Sequence, residues 1–410
     1  LVTQPITLPV VPSTCMLSDY TPSFNLMHYP LPSAPLSHAP IQSNALERLS
    51  ELIHSHIKDK RYPGAQIALA YQGQLVWEES FGQARLGSGH EADDKTMAAD
   101  NQSLWLLYSN TKIIVATLLW RLHEQGKLRF TDRVADHLPE FAKNGKDAIT
   151  LFQVITHQGG FPDGDVPSST WRDHSKVRQT VCDFQLQWEP GSRVSYHGLS
   201  AHWVLVMVVE AVTGRDFREV IRSEVLEPLG LANDLFVGLP ASETSRMTFL
   251  YEPHSESPNG LRLRDESTSR LWQEAGVPGG GAYGTARGMV ALYQMMLLGG
   301  ALNGVRLFSP RTLAYAIQNY TADRLDEFMG MPMHRGLGPH LRGTTVGIRG
   351  LGSLARPDTF GHGGVGTSYC WADPQSGLSF AYITNCRVPD PWHSVRLDQV
   401  SNLIHASITK

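Results

Sequence analysis

Charge is scarce in this sequence. Only 18% of its 410 residues are Asp, Glu, Lys or Arg, with 35 basic against 39 acidic side chains and a formal net charge of −4. There is no basic excess or basic stripe, which excludes an ordinary nucleic-acid binder. A disordered chain is also excluded, because it would be more charged and poorer in aromatics than this 41% hydrophobic sequence. Long apolar runs are lacking. The longest, residues 203–209, stops at Glu210, far short of the roughly 20 residues that span a bilayer. No charged region followed by an apolar stretch opens the chain, so no signal peptide is expected and a cytoplasmic location is. The sequence begins at Leu1, and a targeting segment removed before it would not be visible. Cysteine is sparse too. Cys15, Cys182, Cys370 and Cys386 are scattered without C-x-x-C spacing, which supports neither a disulfide framework nor a zinc site and fits reduced thiols.

The sequence is rich in Gly and Pro, 37 and 25 residues, and these imply a loop-rich globular protein. The length exceeds one ordinary domain, so two lobes or one large domain with an insertion are expected. Residues 1–43, rich in Pro, Ser and Thr and almost uncharged, read as an extension that wraps the body or stays loose. A helix is expected from Asn44, with Glu47 as capping partner and Leu46, Leu49, Ile53 and Ile57 as its apolar stripe, ending by Pro63-Gly64. Residues 66–71 and 74–78 read as strands joined by a turn at Gln72-Gly73. Residues 111–125 and 199–212 are apolar nearly all round, as buried helices are, and Gly126 and Gly214 follow them. Strand-like runs return at 369–372 and 378–384, then a last helix over 392–407. The expected class is α+β: a sheet lobe from residues 44–108 and 340–410, and a mainly helical lobe from 109–339. A site is expected in the cleft between them.

A serine nucleophile needs a base within reach, and a Lys at i+3 on a helix shares its face. S-x-x-K occurs three times, at Ser55/Lys58, Ser109/Lys112 and Ser407/Lys410. The first lies on the polar face of a charged helix, and the third is at the frayed chain end. Ser109 differs because it follows the apolar run 104–108 and opens a helix that reads as fully buried. Burial and the positive helix end would both lower the pKa of Lys112, making a neutral amine available. The residues alone leave a second reading open, a Ser N-cap with Lys112 snorkelling to water. No G-x-S-x-G or H-E-x-x-H occurs. His54-x-His56 diverges on a helix surface, and Gly279 to Gly281 lack the Lys-Ser/Thr of a phosphate loop. No cofactor and no metal are expected.

With Ser109-Asn110-Thr111-Lys112 in place, the chain resembles the serine β-lactamase/penicillin-binding superfamily, in particular its class C-like branch and the family VIII carboxylesterases within it. Supporting segments follow in the family's order. They are Pro63-Gly64, residues 149–160 (ITLFQVITHQGG), Trp188-Glu189-Pro190-Gly191 with Tyr196, the Gly-rich 279–287, and Phe360-Gly361-His362-Gly363-Gly364. Two motifs depart from the β-lactamase pattern. Tyr-x-Asn reads Tyr196-His197-Gly198, and Lys-Thr-Gly reads His362-Gly363-Gly364. The missing Asn and Lys would contact a lactam side chain and a substrate carboxylate, so the resemblance points toward esters.

It implies the β-lactamase/transpeptidase-like fold, an antiparallel sheet flanked by helices with a large helical insertion. It also implies Ser109 as nucleophile, with Lys112 and Tyr196 sharing proton transfer. The backbone N–H groups of Ser109 and Val365, the latter on an edge strand, would form the oxyanion hole. Asn110, His362, Gly363 and Gly364 would line the substrate site, with His362 lining it or orienting Tyr196. Trp171, Trp272 and Tyr283 are candidates for an apolar pocket or for core. The expected activity is hydrolysis of small uncharged carboxylic esters through an acyl-enzyme, with a small-molecule ester as partner, no nucleic acid and no membrane span. The alternatives are an acyltransferase with an alcohol acceptor, an amidase, peptidase or weak β-lactamase, and an inactive binding protein on the same fold.

Overall fold

The computed structural model describes residues 29–87, 96–257, 259–347 and 350–409. We number only the elements needed to place the site. They are β1 (Gly64–Tyr71), β2 (Gln74–Arg85), β3 (Met97–Ala98), β4 (Trp105–Leu106), β5 (Leu235–Val237), β6 (Ala282–Gly284), β7 (His340–Leu341), β8 (Phe360–Gly364), β9 (Ser368–Asp373) and β10 (Leu378–Thr384). The helices are α1 (Ser43–Lys58), α2 (Thr111–Glu124), α3 (Ser200–Thr213), α4 (Ala286–Leu297) and α5 (Trp392–His405).

Seven strands form one antiparallel sheet in the order β7-β8-β9-β10-β1-β2-β3. The two chain ends meet at its centre, where Ala68 of β1 faces Ala381 of β10. Strand alternation sorts the side chains by size. Ile67, Leu69, Tyr369, Trp371, Phe380 and Tyr382 pack with Leu46, Leu49 and Ile53 of α1 and Leu397, Val400 and Ile404 of α5. Ala68, Ala70, Cys370, Ala372 and Ala381 face the other way, into the core that holds α2, α3 and α4. Small residues on that side let α4 lie close against the sheet. The turn at Gln72-Gly73 has both residues at positive φ, +47° and +77°, as a two-residue hairpin requires.

α1 starts at Ser43, one residue before the expected Asn44, and no side chain caps it, so Glu47 is not a capping partner. Its end is Lys58, several residues before Pro63-Gly64. Residues 29–42 do not stay loose: Ala34 N donates to Leu75 O (2.9 Å) and Leu31 is buried in the core. The rest of the expected extension, residues 1–28, lies outside the described residues. The middle segment holds more than helices. β4, β6 and β5 form a three-stranded sheet in that order. α4 belongs with the seven-stranded sheet, because its buried face meets the small-residue side of β1, β9 and β10. Among the described residues, no helix is long and apolar enough to cross a membrane.

Candidate active site

The segment before Ser109 is pinned at several points. Leu107 N donates to Ala282 O (2.8 Å), which continues the β4–β6 pairing. Thr111 Oγ1 donates to Tyr108 O (2.6 Å) and accepts from Ala282 N (2.9 Å). Between them Tyr108 is forced to φ +43°. A buried aromatic residue in the left-handed region is strained and persists only where its surroundings over-determine it. The strain turns the chain sharply from β4 into α2 and leaves Ser109 half-exposed at the turn while Lys112 is fully buried.

Lys112 Nζ lies 3.1 Å from Ser109 Oγ and donates to the carbonyls of Gly198 (2.7 Å) and Gly279 (2.6 Å). Burial, reinforced by the positive charge of Arg335, holds its pKa well below the ordinary lysine value. A neutral amine has two N–H bonds and one lone pair. The two carbonyls take the N–H bonds, and the lone pair is left for the Ser109 hydroxyl. Tyr196 Oη donates to Ser109 Oγ from the other side (2.8 Å). Burial pushes this phenol up to about 12, against the lowering effects of its bond to Ser109 and the charge of Arg335.

Tyr196 sits on a loop whose successive amides are all engaged. Ser195 N donates to His157 O (3.1 Å), Tyr196 N to Asp326 Oδ1 (3.1 Å), and His197 N to His157 Nδ1 (3.0 Å). His157 is itself at φ +62°, with its ring 4.8 Å from that of Tyr196. His157 belongs to the segment 149–160 that carried the family likeness, so the motif marked it without revealing its task. Asp326 and Arg335 gave no sequence signal at all.

The opposing wall is β8. Val365 follows it with a half-exposed side chain. Among the described residues, neither Ser109 N–H nor Val365 N–H donates to any group. Amides left undonated in this way are available to hold an oxyanion. β8 is not the sheet edge that was expected, because β7 pairs with Phe360 and Gly361 outside it. Past β7, the edge is occupied by Asn110. In the orientation that satisfies both ends of its amide, the Asn110 side chain donates to His362 O (2.6 Å) and accepts from Gly364 N (3.2 Å) and Ser368 Oγ (3.0 Å). It acts as a short strand surrogate that ties the Ser109 segment to β8. Asn110 is fully buried, so it positions the wall and does not line the substrate site.

His362 is buried and packs by its ring, 4.2 Å from His340 and 6.4 Å from Tyr196. It makes no hydrogen bond to the Tyr196 hydroxyl. Burial keeps it well below the usual histidine range and therefore neutral. A Cβ on Gly363 would meet the Tyr369 ring at 2.6 Å, and one on Gly364 would meet Leu107 O at 2.6 Å. Both positions need glycine for close approach. Trp171 and Tyr283 are core residues, and Trp272 packs edge-on to Trp171. The exposed apolar residues near the site are others: Phe328, 69% exposed and 5.9 Å from the Tyr196 ring, with Val365 and Leu199.

Of the competing S-x-x-K pairs, Ser55 spends its hydroxyl on Leu52 O on the exposed face of α1. Lys410 lies outside the described residues. A surface cleft of 610 Å³ elsewhere contains none of the site residues. Its arginines are paired: Arg218 with Asp216, Arg222 with Glu227 and Arg270 with Glu274. His174, Glu210 and Asp216 cluster nearby, but Asp216 is held by Arg218 and Glu210 accepts from Phe217 N. These contacts make the group a structural ion-pair network.

An antiparallel sheet built from both chain ends, with a Ser, Lys and Tyr converging beneath its β8 wall, defines the β-lactamase/transpeptidase-like class. The chain belongs to the Beta-lactamase family, whose pattern matches residues 49–401. It is an enzyme of the serine β-lactamase/penicillin-binding superfamily, a hydrolase. Among curated relatives, it is 26% identical over 368 residues to an Escherichia coli K12 protein provisionally named D-alanyl-D-alanine carboxypeptidase, covering 83% of this chain and 82% of that one. Among solved structures, it is similar to a family VIII carboxylesterase, with 28% identity, TM-score 0.74, and coverage of 88% of this chain and 98% of that one. It is also similar to a penicillin-binding protein homolog from Caulobacter crescentus, with 27% identity, TM-score 0.73 and the same coverage.

Proposed function

We propose that this enzyme cleaves carboxylic esters of small uncharged substrates through an acyl-enzyme on Ser109. Lys112 Nζ takes the Ser109 proton as Oγ bonds to the carbonyl carbon. The carbonyl oxygen takes up the electron pair and is held by the N–H groups of Ser109 and Val365. One such donor is worth about 3 kcal/mol in other hydrolases. The tetrahedral species collapses, the C–O bond to the alcohol breaks, and a proton reaches the leaving alkoxide through Tyr196. Water then attacks the acyl carbon, its proton passes back through Tyr196 and Lys112, and the acid leaves as Ser109 Oγ regains a proton.

The observation that carries the choice of ester is the charge of the site. The basic side chains against Tyr196 are Lys112, which burial keeps as the free amine, and Arg335, which is itself buried and paired with Asp326. The position of the third-motif lysine holds a buried neutral His362. Exposed apolar side chains beside the site include Phe328, Val365 and Leu199, and the nearby exposed charges of Arg193 and Glu327 are paired with each other. Gly198, where the second motif would carry an amide, has no atom within 4 Å of a built Cβ, so there is room there for an apolar group. The family VIII carboxylesterase likeness supports the same reading. The Escherichia coli relative's name favours a second reading, a D-alanyl carboxypeptidase, whose substrate ends in a carboxylate. Parallel assays with p-nitrophenyl butyrate, nitrocefin and a peptide ending in D-Ala-D-Ala separate them. The ester is expected to turn over fastest, and Ser109→Ala to abolish that turnover. Faster release of D-Ala from the peptide would overturn the ester reading. Supplying an alcohol tests for acyl transfer, which would appear as a new ester.

A further inference from the structure

Asp326 and Arg335 form an ion pair buried at 0% and 2% side-chain exposure, directly against Tyr196. Taking two charges out of water costs more than their mutual attraction ordinarily returns, so stability alone is a poor reason for such a pair. Its orientation is informative. Asp326 Oδ1 accepts from the backbone N–H of Tyr196 (3.1 Å), while Oδ2 accepts from Arg335 Nε (3.0 Å) and Nη2 (2.5 Å). The Arg335 guanidinium carbon lies 4.9 Å from the Tyr196 ring centroid. The negative end of the pair thus meets the tyrosine's backbone, and the positive end meets its ring. Arg335 is fixed on both sides, because its own N–H donates to Thr321 Oγ1 (2.9 Å) and Nη1 donates to His340 Nε2 (2.9 Å).

We propose that Arg335, held by Asp326, is a positioning residue for Tyr196 that presents a permanent positive charge to its ring and favours negative charge on the phenolic oxygen during proton transfer. The inference rests on the ester-hydrolase reading of Ser109. The other groups facing Tyr196 are Ser109, Lys112, His157, His340, His362 and Phe328, and His197 follows it in the chain. Burial pulls His157 and His362 well below the usual histidine range and His197 down to about 4. Arginine only donates, so the contact with Arg335 fixes His340 Nε2 as an acceptor. Arg335 and Asp326 thus place a fixed pair of charges against the tyrosine. The same guanidinium lowers the pKa of Lys112, which favours the free amine. Both effects ease proton removal from Ser109.

The test is the pH dependence of kcat/KM on p-nitrophenyl butyrate for wild type, Arg335→Met, Arg335→Lys and Asp326→Asn, with Ser109 labelling by a fluorophosphonate and circular dichroism for each. Losing the cation raises the pKa of the base, so Arg335→Met should move the acid limb about one pH unit upward. It should also lower kcat about 10- to 100-fold with KM nearly unchanged. Arg335→Lys keeps the charge and should return the limb toward the wild-type position. Asp326→Asn removes the opposing charge and should move the limb downward, which decides the matter if Arg335→Met does not fold. Equal losses in both Arg335 variants with unmoved limbs would overturn this inference alone. A wild type that is active but not labelled at Ser109 would overturn the hydrolase reading beneath it.

Discussion

Replacing Lys112 with Met separates chemistry from stability. The side chains are alike in length, so the change removes the amine and little else. A general base contributes about 10²- to 10⁴-fold, so kcat/KM on p-nitrophenyl butyrate should fall about 10³-fold and fluorophosphonate labelling of Ser109 should slow in parallel. Stability is governed by two opposing terms. In the folded state burial holds the Lys112 pKa far below its ordinary 10.5. The unfolded chain therefore binds the extra proton throughout the window from 10.5 down to the folded value. The residue costs no stability above 10.5 and costs progressively more as pH falls through that window, by about 1.4 kcal/mol per unit of depression. Lys112→Met removes that cost. It also orphans the carbonyls of Gly198 and Gly279, now bonded at 2.7 and 2.6 Å, at about 1–3 kcal/mol each. The terms offset, so calorimetry should find Tm within about 5 °C of wild type at pH 7.5. A variant retaining a tenth or more of wild-type activity would refute the assignment of Lys112 as base. A collapse in Tm with activity lost only in proportion would show that the amine is structural.

Tyr196→Phe removes the 2.8 Å donor to Ser109 Oγ and should lower kcat by at least about 10²-fold; steady-state kinetics near wild type would discard the relay. Gly364→Ala places a Cβ 2.6 Å from Leu107 O and 2.5 Å from Ser368 Oγ, so β8 must move away from the Ser109 segment by about half an ångström, with about a tenfold loss of kcat. The control Ser55→Ala should leave turnover unchanged. Acid should destabilise the fold well before carboxylates titrate. Burial lowers His197 and His393 from 6.5 to about 4 and about 3, so below pH 6.5 the unfolded chain gains their protons first. Urea midpoints should fall steadily from pH 6.5 to 4, and a midpoint flat over that range would contradict the assignment of these residues as buried and neutral.

Local order was legible wherever a short segment carries its own physics. The hairpin at Gln72-Gly73 and the apolar helices α2 and α3, with left-handed Gly126 and Gly214 behind them, follow from turn chemistry and periodicity. Capping was misjudged at Glu47 because α1 begins at Ser43 behind Gln42, which carries Glu47 past the position from which a side chain reaches back to the first turn. The edge position expected for β8 failed for a different reason. β7 is two residues long, and a dipeptide leaves no periodic trace.

The candidate site divides in the same way. Residue types and spacing marked a hydroxyl, an amine one helical turn on and several glycines, and the family resemblance added a phenol far along the chain. The sequence offered three hydroxyl–amine pairs of equal local spacing. Sequence context favoured Ser109/Lys112, and the tertiary structure supplied the physical ground by burying Lys112 and bringing Tyr196 to the same oxygen. It also decided Asn110, which the family resemblance placed at the site and packing turned toward β8, and it supplied Asp326 and Arg335. The physical reason is that bond-forming groups belong to single residues. Desolvation and electrostatic field belong to the whole set of atoms packed around them, and here those atoms come from segments as far apart as residues 109, 196, 335 and 365.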